Sequence, residues 1–201
     1  MRLVSIFIKV FLTLAIATTL LSCEEKKEVR AHFYGIDSLI KAQINHLSNI
    51  KTTLRKRTTL QNNFDTVTVT TTFDSLLWAT ELEAFEQLES INKSVNKNAY
   101  LITEFPDSKS NLSVRQFSAK EKTLQVEVLR VYYKGSLANL KKIEASYRKK
   151  NYLYENLQQL VLEFNKIYNK NTLTSYSIEG TQKMILTDSV KFSINGSITI
   201  N

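Results

Sequence analysis

The chain has 201 residues, 43% of them apolar, and carries 27 lysines and arginines against 19 acids. Four glycines and one proline exclude a loop-rich or disordered protein; the chain needs long regular elements, with asparagine and threonine at many of its turns. The formal charge of +8 comes from basic residues spread along the chain rather than gathered in one run, so it gives no reason to expect a nucleic-acid partner.

The first 22 residues have three parts. Arg2 and Lys9 supply positive charge, Val10 to Leu21 is an apolar run interrupted by threonines, and Leu20-Leu21-Ser22 leads into Cys23. A membrane-spanning helix needs about 20 apolar residues. Lys9 divides this stretch and leaves a core of the length found in cleaved signals. Cys23 is the only cysteine, so no intramolecular disulfide can form. Leu-Leu-Ser-Cys after such a core resembles the lipobox of bacterial lipoproteins. The resemblance implies a signal peptide over 1–22, lipidation of Cys23 as the mature N-terminus, and anchoring in a bacterial outer membrane. Removing residues 1–22 from 201 leaves 179, and losing two cations lowers +8 to +6.

Residues 23–30 contain Glu24, Glu25, Lys26, Lys27 and Glu28, a charged run expected to form a solvated tether. Glu24 and Glu25 directly after the cysteine resemble the surface-export signal of Bacteroidota lipoproteins, which implies display on the cell surface.

Residues 31–201 suit a single α+β domain with its own core. From Ala31 to about Leu60, Phe33, Ile36, Ile40, Ile44, Leu47, Ile50 and Leu54 recur at helical steps, predicting one long amphipathic helix. Arg55-Lys56-Arg57 suits the negative end of its dipole. Gln61-Asn62-Asn63 is a turn signal. The β-branched run Thr66 to Thr72 predicts a strand. Asp74 then reads as the N-cap of a second helix reaching about Ile91, with Leu77, Trp78, Leu82, Phe85 and Leu88 on its inner side.

From about Tyr100 the period shortens. Pro106 is expected in a loop with Asp107, Ser108 and Lys109. Leu112–Val114, Leu124–Tyr133 and Ile143–Tyr147 alternate at two-residue spacing, and Lys134-Gly135-Ser136 marks a hairpin turn. Leu137–Leu140 fits a helix or a strand, and Leu153–Leu162 has no decided period. Leu157–Phe164, Leu173–Ile178, Thr181–Leu186 and Val190–Ile200 complete an antiparallel meander, with Gly180 a candidate bulge. The two helices, coming first, are expected to cover one face of that sheet.

The chemistry in the chain is sparse. His32 and His46 lie fourteen residues apart, too few and too far for a zinc site of three or four ligands, so no metal is expected. Ser-x-x-Lys recurs at Ser38, Ser48, Ser90, Ser94 and Ser146, as it will in a chain rich in both residues, and no Lys-Thr-Gly partner accompanies it. Gly-x-Ser-x-Gly and the glycine-rich phosphate motifs are absent, and no cofactor is expected. Glu127, Glu144, Glu155, Glu163 and Glu179 lie in or beside strands and leave open a small envelope hydrolase working through paired carboxylates. Tyr132, Tyr133, Tyr147, Tyr152 and Tyr154 are the candidate ligand face, because tyrosine joins an apolar ring to a polar tip; they are equally ordinary sheet residues.

A curved antiparallel sheet with helices on one face resembles the carrier and assembly lipoproteins of the bacterial envelope, among them the outer-membrane receptor for other lipoproteins. That likeness is architectural and fixes no activity. The expectation from sequence is a non-catalytic lipoprotein, held to the membrane by its lipid, binding an envelope protein, a glycan or a lipid.

Overall fold

A sheet of nine antiparallel strands is the frame of the domain. The computed structural model describes residues 35–71, 75–96 and 98–201. In chain order the elements are α1 (Ile36–Ser48), β1 (Thr52–Leu60), β2 (Asn63–Thr71), α2 (Ser75–Glu86) with a 3-10 continuation to Asn92, β3 (Tyr100–Pro106), β4 (Ser113–Ala119), β5 (Val126–Lys134), β6 (Ser136–Lys150), β7 (Tyr154–Ile167), β8 (Lys170–Met184) and β9 (Val190–Ile200). The sheet order is β2-β1-β9-β8-β7-β6-β5-β4-β3. Strands β3 to β9 form an uninterrupted meander, and the β1–β2 hairpin extends it beyond β9. All the described residues fall in one compact unit. The leader, Cys23, Glu24, Glu25, His32, Phe33 and the Asp74 cap lie outside the described residues.

The α+β class holds, but the long first helix does not. It stops at Ser48, with Asn49 as its C-cap, and the chain turns into β1 at Thr52. Ile50 and Leu54 continue the helical spacing by coincidence. Thr52, Thr53, Thr58 and Thr59 are β-branched, and crowding at Cβ favours the pleated backbone. Leu54 still reaches the core, from the strand. Arg55-Lys56-Arg57 therefore caps no helix; Arg55 and Arg57 project from one face of β1 and Lys56 from the other.

Alternation sorts the sheet into two faces. The inner face carries Leu54, Phe117, Leu129, Val131, Ile143, Leu160, Leu162, Leu173, Tyr176 and Ile198, all buried. Onto it pack Ile36, Ile40, Ile44 and Leu47 of α1, then Trp78, Leu82 and Phe85 of α2, with Leu88 and Ile91 from its 3-10 end. Burial at about 25 cal/mol per Å² of apolar surface makes this layer the main source of stability. The Tyr176 ring meets Phe85 edge-on at 6.1 Å, and its hydroxyl donates to Glu81 of α2, which also pairs with Lys56 of β1.

Three smaller expectations change. Leu173–Ile178 and Thr181–Leu186 belong largely to one strand, β8, which ends at Met184. Gly180 sits in regular register; the β7–β8 irregularity lies at Glu163/Phe164. A Cβ at Gly180 would lie 2.7 Å from the Phe192 ring, so close packing requires the glycine. Pro106 ends edge strand β3, where a missing N–H leaves no partner unmet. Gly135 takes the hairpin position expected of it, with φ +74°. Leu137–Leu140 and Leu153–Leu162 resolve mostly as strand, within β6 and β7.

Candidate functional site

The outer face of the sheet holds the polar side chains that the core excludes. In β5, Leu129, Val131 and Tyr133 fall on the inner side, so Arg130 and Tyr132 fall on the outer side. Register places Tyr132 between Val114 of β4 and Lys142 of β6, and Arg130 between Gln116 and Glu144.

These neighbours form a joined set. The Tyr132 hydroxyl donates to Glu144 Oε2 at 2.6 Å. Lys142 Nζ pairs with Glu144 Oε1 at 2.7 Å and stands 4.2 Å from the centre of the Tyr132 ring, a cation–π contact. Arg130 Nε donates to Gln116 Oε1 at 2.6 Å. Burial, then the hydrogen bond to Glu144 and its charge, drive the Tyr132 pKa well above the ordinary phenol range. Burial alone would raise Glu144, but the hydrogen bonds from Lys142 and Tyr132 and the charges of Lys142 and Arg130 outweigh it and hold the carboxyl below its usual value. Tyr132 thus stays a neutral donor and Glu144 a fixed carboxylate at neutral pH.

The β3–β4 loop closes one side of this set and makes a cleft of about 830 Å³. Its cations are Lys109, Arg130, Lys134, Lys141 and Lys142; its acids are Asp107, Glu144 and Glu163. Ser110 donates to Asp107, which lowers that carboxyl's pKa and shapes the loop. Glu163 accepts from Ser175 Oγ at 2.7 Å and also borders a second outer-face cleft of about 470 Å³. There Ser175, Ser177, Asn195 and Ser197 form a floor of short polar side chains beside Arg55 and Arg57. The two clefts make one polar band from β5 to β1.

The five tyrosines do not converge. Tyr132 lines the outer cleft. Tyr133 is buried on the opposite side of β5, and Tyr147 belongs to the inner core. Tyr154 is half-buried at the start of β7. Tyr152 is 86% exposed in the β6–β7 turn. Of the strand glutamates, Glu144 and Glu163 share a cleft. Glu127 and Glu155 both face Arg148, at 2.9 and 4.0 Å, and Glu155 also faces Lys150. Glu179 is exposed on β8 and borders a shallow outer cleft with Lys191.

His46 is 3.2 Å from Thr172 Oγ1, and burial, with nearby Lys170, pushes its pKa down, so it packs α1 as a neutral ring. Among the described residues no three histidine, cysteine or acidic side chains could hold a metal ion. No helix among them is long and apolar enough to cross a membrane.

Residue type and spacing do not bring Arg130, Lys142, Gln116 or the 107–112 loop into the site. The alternation of β5 and β6 puts Arg130 with Tyr132 and Lys142 with Glu144, but only the register across β4–β5–β6 joins them. No protein-family model, curated protein or solved structure matches this chain.

Proposed function

We propose that this chain is a non-catalytic lipoprotein of a bacterial outer membrane, anchored through Cys23 and displayed at the surface, whose outer sheet face binds an acidic glycan. The observation that carries the glycan reading is the polar band, where cations outnumber acids along a run of serines and asparagine. Sugar hydroxyls match short polar side chains, and sugar carboxylates match lysine and arginine. Tyr132, itself buried, holds Glu144 and Lys142 in place at the floor of the band. The anchor rests on the Leu-Leu-Ser-Cys leader, and surface display on Glu24 and Glu25.

The hydrolase alternative draws less support. A glycosidase needs one carboxyl kept protonated as the acid. Glu144 is held ionised by Lys142 and Tyr132, so it cannot be that acid.

The test is titration of the domain with polygalacturonate and with neutral dextran. Salt-sensitive binding to polygalacturonate alone, weakened in Arg57→Ala and Lys142→Ala, is the expected result. Equal affinity for both polymers, or none for either, would refute the reading. Release of reducing ends by the parent chain but not by Glu144→Gln or Glu163→Gln would replace it with the hydrolase.

A further inference from the structure

The β6–β7 and β8–β9 turns carry large apolar side chains into solvent. Tyr152 is 86% exposed, Leu153 58%, and Leu186 91%, with Met184 and Ile185 more than half exposed. The two turns are joined: Ile185 N–H donates to Leu153 O at 3.0 Å, and Tyr154 pairs with Met184 in register. The five side chains therefore make one apolar tip. Isolated exposed apolar residues are ordinary, but a contiguous cluster at turn tips signals a contact.

We infer that this tip inserts into the surface of an anionic bilayer. Lys149 and Lys150 precede the first turn, and Lys183 and Lys191 flank the second, against Glu155 and Asp188; Glu155 pairs with Lys150 and Arg148. Apolar side chains at the front with lysines behind them match the layering of a membrane surface, acyl chains beneath anionic headgroups.

The route of the chain agrees. The described chain begins at Gly35, and the Asp37 N–H beside it donates to Glu89 at 2.9 Å. Glu89 lines a cleft with Tyr147 and Lys149, and Lys149 leads directly into the Tyr152 turn. The described chain thus starts at the end of the domain that bears the tip. The β3–β4 loop and the basic cleft beside it lie at the other end, facing away from the bilayer. The tip itself stands on its own side chains, whether or not Cys23 carries lipid.

Among the described residues every core side chain lies at or beyond Ile36, and the chain from Glu24 contains all of them. It also lacks cysteine, which permits single labels. The test places an environment-sensitive fluorophore at Leu186→Cys or at Ser136→Cys in the opposite β5–β6 turn. Vesicles are phosphatidylcholine with and without phosphatidylglycerol. The label at position 186 should shift to the blue on phosphatidylglycerol vesicles while the label at 136 stays unchanged. Unlabelled Ile185→Ser/Leu186→Ser should bind about tenfold or more weakly, as expected for removing two aliphatic side chains from the bilayer contact, with its melting temperature unchanged because both are exposed in the free domain. Added salt should weaken binding of the parent chain. An unshifted 186 label, equal shifts at both positions, or concentration-dependent dimers that bury position 186 without vesicles would overturn the inference.

Discussion

The side-chain amide of Gln43 completes the backbone pairing of Leu173. Gln43 Oε1 accepts the Leu173 N–H at 2.8 Å, and its Nε2 donates to Asn171 O at 3.0 Å. Pairing of β8 with β9 runs only from Ser175 to Gln182, so these groups lie beyond the last partner that β9 offers. A residue of α1 thus does the work of a strand and locks the helix to the end of β8. Gln43 is only 6% exposed, so water cannot replace it.

Gln43→Leu should therefore destabilise the domain more than its change in polarity suggests. It strands the buried Leu173 donor and the part-buried Asn171 acceptor, each costing up to about 1–3 kcal/mol when unsatisfied. Urea unfolding should show a loss of about 2–4 kcal/mol. Gln87→Leu, on the exposed 3-10 turn, should be close to silent. Equal behaviour of the two variants would show that α1 is held by its apolar side chains alone.

Gly196 is tied to Tyr176 by space rather than by a bond. A Cβ at 196 would lie 2.2 Å from Tyr176 Cε1, and the ring is wedged between β9 and Phe85 with its hydroxyl on Glu81. Gly196→Ala should cost about 1–3 kcal/mol as overpacking. Much of that cost should vanish when it is combined with Tyr176→Leu, because the two changes share one contact. Strictly additive losses in thermal unfolding would refute the wedge.

Strand alternation made the meander, its hairpin at Gly135 and the helix over Trp78–Phe85 legible. The run from Ala31 misled because Ile50 and Leu54 keep helical phase while the threonines around them favour a strand; spacing alone cannot rank those preferences. Strand β3 was hidden by its edge position. From Leu101 to Pro106 it is exposed on both sides, so it shows no inside–outside pattern. The outer cleft was half legible. Tyr132 and Glu144 were both candidates, but the separation of Tyr132 from Tyr133 and Tyr147 depends on strand face and turn position, and the role of Lys142 depends on register.

The Glu144 carboxyl gives a pH signature. Its folded pKa lies below the unfolded value near 4.5. Its contribution to stability is therefore fully present above that value and is lost as pH falls through the folded pKa. Glu144→Gln removes the titration but keeps a hydrogen-bond acceptor for Tyr132. Between about pH 6 and about pH 3, the parent chain should lose more of its urea midpoint than Glu144→Gln does. The difference should be modest, because the pair is partly solvated, and should shrink at high salt. Parallel curves would show that Lys142 and Tyr132 do not hold this carboxylate in solution.

The last prediction separates the anchor from the tip. If Cys23 carries two or three acyl chains, as proposed, each buried methylene adds about 0.8 kcal/mol and release from the membrane is negligible. In Cys23→Ala, the side chains of the Tyr152 and Leu186 turns and their lysines are the part of the described domain proposed to touch lipid. In envelope fractions the parent chain should resist washing with high salt and require detergent. Any Cys23→Ala protein freed from its leader should instead leave the membrane in salt, because headgroup attraction to the lysines is screened. Cys23→Ala combined with Leu186→Ser should be soluble without the wash. If the single variant is processed normally and still needs detergent, neither the lipid nor the tip is what holds this protein to its membrane.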